Sequence, residues 1–187
     1  MMSLLASIAA YIGTNIDDIF ILTILLTQNT GKSRRRMIAG HFLGVAVITA
    51  ASMLGALGLQ NLPLKYVGLL GLVPIALGIR AWIAGDDDDD ASLSGRIGLA
   101  SMAMITVGNG ADNIGVYIPL FTGFTVPERM GAVLVFAVLT ALWVSLARKL
   151  SEFPRVRSVI ERYKRIAVPA VFIALGIFII LESGLLG

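Results

Sequence analysis

The sequence predicts an all-α integral membrane protein with six transmembrane helices arranged as two inverted three-helix repeats. Three observations carry that expectation. Hydrophobic residues make up 57% of the 187-residue chain and charged residues only 14%, with a mean hydropathy of +0.86; soluble domains carry roughly 25% charged residues. Six apolar runs, at 3–27, 37–59, 66–84, 97–121, 130–146 and 166–186, each approach the roughly 20 residues that a bilayer span needs. A polar motif inside the first run also recurs inside the fourth, 95 residues later.

The first run has no basic segment ahead of it, and too little apolar sequence precedes Ala6–Ala10 for a signal-peptide cleavage site. It reads as a retained helix. Inside it lies Gly13-Thr14-Asn15-Ile16-Asp17-Asp18-Ile19, and Gln28-Asn29-Thr30-Gly31 then supplies turn chemistry. Arg36-Met37 opens the second run, and His41 follows within a turn or two. That histidine reads as packed or interfacial, with a ligand or proton-relay role as the alternative. Gln60-Asn61-Leu62-Pro63 leads to the third run, which holds Pro74-Ile75-Ala76-Leu77-Gly78-Ile79. The acidic run Asp86–Asp90 reads as a solvated loop at 85–96 that can also gather cations.

The fourth run contains Gly108-Asn109-Gly110-Ala111-Asp112-Asn113-Ile114. Thr125-Val126-Pro127 ends the next connection, Arg129-Met130 opens the fifth run, and Phe172-Ile173-Ala174-Leu175-Gly176-Ile177 in the sixth echoes the third. The offsets of 95, 93 and 98 agree closely, which sets repeat one at 1–84 and repeat two at 97–187 in a single transmembrane domain. With three spans per half, the second half must enter the membrane upside down, as in many secondary transporters. Gly44, Gly55, Gly58, Gly68, Gly71 and Gly78 suit close helix packing.

Charge sets the orientation. Thirteen Lys and Arg fall on one side of the six runs, and only Lys65 and Arg129 on the other. The positive-inside rule then puts loops 1, 3 and 5 in the cytoplasm and both termini outside. The clusters at 34–36 and 148–165 also suit contact with anionic lipid.

At an offset of 95, Thr14 matches Asn109, Asp17 matches Asp112 and Asp18 matches Asn113. On a continuous helix these positions share one face. An aspartate at mid-membrane costs about 3 kcal/mol on an insertion scale, so its retention marks a functional site. No Lys or Arg lies at similar depth, because Arg80 stands near the cytoplasmic end of its run. Left unpaired, Asp17, Asp18 and Asp112 would bind protons, and a divalent cation would displace them. Carboxylate and carboxamide oxygens are hard ligands suited to such ions. The expected metal site is therefore Asp17, Asp18, Asp112, Asn109, Asn113, Asn15 and Thr14, with metal–proton antiport as its chemistry. Gly13, Gly108 and Gly110 would loosen the helices and free carbonyls for the same ion. The structural alternative is protonated aspartates that hydrogen-bond between helices.

Other classes are narrowed by absence. The chain has no cysteine, which excludes thiolate sites and disulfides. It has neither G-x-x-x-x-G-K-[ST] nor H-E-x-x-H, so no nucleotide-driven or metalloprotease chemistry is expected. The net charge of +3 is distributed by loop, so no nucleic-acid partner is expected. Met102 and Met104 read as apolar filling, and Glu182 as an interfacial acid or an exit marker. No resident cofactor is expected. Metal, protons and lipid are the expected partners, and a homodimer would complete the packing of so small a protein.

Leu70 to Arg80, Gly110-Ala111-Asp112-Asn113-Ile114-Gly115 and Ala174 to Glu182 resemble the CadD-like cadmium-resistance transporters, within the superfamily of the lysine exporter LysE. The resemblance spans all six runs, and the Gly-Ala-Asp-Asn-Ile-Gly string is its most specific part. It implies a bacterial inner-membrane efflux protein for cadmium and carries over Asp17 and Asp112 first, then Asn113. Asn109 departs from a cysteine found near that position in some members, and His41 from an expected glutamine. The rivals are a basic-amino-acid exporter, an intramembrane enzyme and a scaffold without transport. The first should want a positive group for the substrate carboxylate, yet the charges expected at mid-membrane depth are all acidic.

Overall fold

The computed structural model describes residues 2–16, 18–59, 66, 68–84, 98–151, 169–170, 173–181, 183 and 185. Among them all regular structure is helical: α1 (Met2–Asn15), α2 (Asp18–Gln28), α3 (Gly31–Leu59), a 3-10 turn at Gly68–Gly71, α4 (Leu72–Ala84), α5 (Leu99–Asn109), α6 (Ala111–Gly123) and α7 (Val126–Leu150). Residues 169–170 and 173–181 are also helical. The acidic run Asp86–Asp90 and Glu182 lie outside the described residues.

Among the described residues two helices, α3 and α7, are each long and apolar enough to cross a membrane. At 1.5 Å per residue their 29 and 25 residues reach about 43 and 38 Å. Only 33% and 28% of their most apolar windows are buried. Met130, Leu134, Val138, Leu142 and Leu146 recur every fourth residue as an exposed apolar stripe on α7, a face suited to lipid rather than water. The expected first and fourth spans are each divided in two. The polar motif interrupts the helix in both, leaving α1, α2, α5 and α6 with 14, 11, 11 and 13 residues, too short to cross singly.

The helix-to-helix turns are tied by side chains. Gly31 has φ +57°, a left-handed conformation that favours glycine, and it starts α3. Asn29 donates to the Leu25 carbonyl (3.0 Å) and accepts from Ser33 Oγ (2.8 Å). Arg34 donates to the Leu26 carbonyl (2.7 Å), closing the end of α2. At the α6–α7 turn, Glu128 accepts from the Thr125 N–H (2.9 Å) and hydroxyl (2.7 Å), a capping arrangement that starts α7. Arg129, buried despite its charge, donates to the Phe121 carbonyl at 2.8 Å. Arg34–Leu26 and Arg129–Phe121 are the same contact 95 residues apart. This contact falls at Arg34, two residues before the Arg36 whose Arg-Met pair matches Arg129-Met130 in sequence.

Packing repeats at the same offset. α3 lies along α5 and α6, and α7 lies along α1 and α2. His41 meets Thr106 on the first surface, and Phe136 meets Tyr11 on the second. Residues pair in rising order along each surface, so each long helix runs parallel to the broken helix it covers. The two broken helices cross antiparallel, with Thr14 facing Asn113 and Asp18 facing Asn109.

Close approach on the first surface depends on small residues. A Cβ on Gly40 would strike the Leu99 carbonyl oxygen, and one on Gly44 would sit 2.5 Å from Thr106 Cβ. Nothing lies within 4 Å of a Cβ on Gly108. Gly40→Ala should therefore destabilise the protein by about 1.5 kcal/mol, because backbone must move. Gly108→Ala should be close to neutral in the same thermal unfolding series in detergent. Equal losses in the two variants would contradict the packing account.

Candidate functional site

The candidate site lies where the two broken helices cross. Each break sets the C-terminus of one helix against the N-terminus of the next. α1 ends at Asn15 and α2 opens with Asp18; α5 ends at Asn109 and α6 carries Asp112 in its first turn. Helix N-termini favour negative charge and C-termini present carbonyl oxygens. Helix N-termini therefore favour the two carboxylates here, beside further oxygen donors.

The breaks change one expectation. Thr14 and Asp18 do not share a continuous helical face, nor does Asn109 share one with Asp112 and Asn113, because the chain is interrupted between them. The oxygen-bearing residues instead meet across the crossing. Asn109 Nδ2 donates to Asp18 Oδ1 at 3.1 Å. Its counterpart is Asn113 Nδ2 donating to Thr14 Oγ1, also at 3.1 Å. Asp112 Oδ1 accepts the Asn113 backbone N–H at 2.9 Å, helping to start α6.

One side of the crossing is a closed polar network. Tyr117 OH lies 2.9 Å from Thr14 Oγ1 and receives Asn15 Nδ2 at 2.8 Å and Asn113 Nδ2 at 3.0 Å. Asn113 Nδ2 also approaches Asn15 Oδ1 at 3.2 Å, and Asn15 Nδ2 donates to the Tyr11 carbonyl at 2.8 Å. Trp143 Nε1 donates to the Asn15 carbonyl at 2.6 Å, satisfying the end of α1 from α7. Thr14, Asn15, Asp18 and Asn113 are buried, while Asn109 and Asp112 are partly exposed.

Tyr117 and Trp143 were not among the expected site residues. Tyr117 stands four residues after Asn113, one turn further along α6, which is the signal that could have included it. Trp143 had no such signal, since its partner is remote in sequence.

Aromatic rings pack together on one side of the crossing. Tyr117 and Phe136 have centroids 4.5 Å apart, Tyr11 and Phe136 5.5 Å, and Tyr11 and Trp143 5.6 Å edge-on. At an offset of 95 residues from these four aromatic positions stand Leu22, His41, Thr106 and Ile48, all buried.

Of the expected metal ligands, Thr14, Asn15, Asp18, Asn109, Asp112 and Asn113 gather at this crossing, and Asp17 lies outside the described residues. Among the described residues no three His, Cys, Asp or Glu side chains converge. The local chemistry is two carboxylates surrounded by carboxamides and hydroxyls.

The family described as cadmium resistance transporter matches residues 11–187. The chain belongs to that family. Comparison with curated proteins found no match, and comparison with solved structures found none. Membership gives the chain a role in cadmium resistance and transport, with a divalent metal as substrate. With its exposed apolar helices, it also identifies a membrane protein.

Proposed function

We propose that this protein exports Cd²⁺ across a bacterial inner membrane by exchange with protons at the crossing of its two broken helices. The observation that carries the proposal is the Asp18 carboxylate. It is buried at a helix N-terminus and held by Asn109 from the other broken helix. Asp18 and Asp112 bind the metal, with Asp17 beside them and Asn109, Asn113, Asn15 and Thr14 as neutral oxygen donors. Protons replace the metal when it leaves, since burial favours the neutral form of a carboxylate.

The architecture is six spans in two inverted halves, two of the spans broken at mid-membrane. Contacts recurring at a 95-residue offset support it, as do the antiparallel broken helices. Broken helices at the interface of inverted repeats are where secondary transporters bind substrate. Both termini face the outside, following the distribution of Lys and Arg. The aromatic plug then closes the outer approach, and Leu22, His41 and Ile48 close the inner one. Alternating access opens them in turn.

The test is proton release from purified protein in detergent, titrated separately with Cd²⁺, Zn²⁺, Mn²⁺ and lysine. Cd²⁺ should cause saturable release, and Asp112→Asn should abolish it. Release with Mn²⁺ alone would keep the exchange and change the cargo. A response to lysine alone would overturn the metal reading.

A further inference from the structure

His41 is the chain's single histidine and has no exposed surface. Its Nδ1 lies 3.1 Å from Thr106 Oγ1, and among the described residues its Nε2 has no hydrogen-bond partner. A buried ring nitrogen with nothing to bind calls for an explanation. When Nδ1–H donates to the threonine, Nε2 presents its lone pair. That is the arrangement of a metal-ligating histidine, whose second nitrogen is held by a neighbour.

The surroundings add soft donors. Met37 lies one turn before His41 on α3, and Met102 lies one turn before Thr106 on α5. A Cβ on Gly40 would meet Met102 Cβ at 2.8 Å, so Met102 abuts α3 beside His41. Both methionines are buried in one cluster. At the corresponding positions of the other half stand Ala132, Phe136 and Ser7. The imidazole and the two thioethers therefore belong to one half only, and repeat architecture does not account for them. Thr106 precedes Asn109 by three residues on α5, so this group lies about one helical turn from the Asp18–Asn109 pair.

We propose that His41 Nε2, with the thioethers of Met37 and Met102, forms a second binding site for a soft divalent cation, one turn from the carboxylate site. It rests on the transport reading above and adds a station on the side of the α2–α3 turn, cytoplasmic in the proposed topology. Imidazole and thioether select ions such as Cd²⁺ over Mg²⁺ or Ca²⁺, which prefer oxygen. The site thus filters cargo before the less discriminating carboxylates receive it.

Because His41 is the only histidine, an untagged chain with ¹⁵N-labelled imidazole reports on it alone. Adding ¹¹³Cd²⁺ to the purified full chain in detergent should shift the Nε2 resonance and split it by coupling to the metal, whereas Mg²⁺ leaves it unchanged. Asp18→Asn should keep this signature while removing metal-induced proton release. His41→Phe, which copies the residue at position 136, should lose one bound Cd²⁺ per chain. An unmoved His41 spectrum in wild-type protein that still releases protons with Cd²⁺ would overturn the second site alone. Absence of both responses would overturn the transport reading, and this site with it.

Discussion

Asp18→Asn is expected to reduce Cd²⁺ uptake into inverted membrane vesicles at least 100-fold while leaving the protein folded. The replacement is nearly isosteric and retains an Oδ1 that can accept from Asn109 Nδ2, now at 3.1 Å. What disappears is the negative charge, one of two carboxylates that the described residues bring to the crossing. A 100-fold loss corresponds to about 2.7 kcal/mol, a modest demand for one charge facing a divalent ion in a poorly solvated site. Removing a carboxylate from mid-membrane also relieves its insertion cost of about 3 kcal/mol. The thermal midpoint in detergent should therefore stay level or rise. Uptake within twofold of wild type would remove Asp18 from the site. A collapse of the thermal midpoint would instead mean that its charge serves the fold.

The helical class and the polar echo were legible in the sequence because both are local properties of composition and spacing. The broken helices were only partly so. Gly108 and Gly110 announced weakness in the fourth run, yet Thr14, Asp17 and Asp18 still looked like neighbours on one helical face. That inference assumed 3.6-residue periodicity through the very stretch where it stops. The true pairing, Asp18 with Asn109 and Thr14 with Asn113, runs between halves and needs the antiparallel crossing to be known. At the helix starts the matching residues and the matching contact fall at different offsets. Arg36-Met37 resembles Arg129-Met130, but what repeats is an arginine donating to a carbonyl eight residues earlier, as Arg34 and Arg129 do. Elsewhere the residues at a 95-residue offset differ in kind: Tyr117 and Leu22, Phe136 and His41. Such pairs keep their place in the packing while losing their likeness.

Tyr117→Phe tests whether the polar network on one side of the crossing holds the site in shape. The hydroxyl is shared by Thr14, Asn15 and Asn113 at 2.8–3.0 Å, and the ring is fully buried against Phe136. Phenylalanine preserves the ring contact and deletes the shared partner. Interhelical hydrogen bonds within membranes average about 0.6 kcal/mol each, so losing three should cost about 2 kcal/mol of stability in detergent unfolding. Asn15 keeps the Tyr11 carbonyl and Asn113 keeps Thr14, which bounds the penalty. Export should fall by about 30-fold, the same free energy read as a rate, because the Asn113–Thr14 pair loses the hydroxyl that fixes its position beside Asp18 and Asp112. A double-mutant cycle with Asn113→Ala separates the two roles. If the hydroxyl acts through Asn113, the second substitution adds little to the first. If the losses simply add, Tyr117 serves packing alone and the network does not position the carboxylate site.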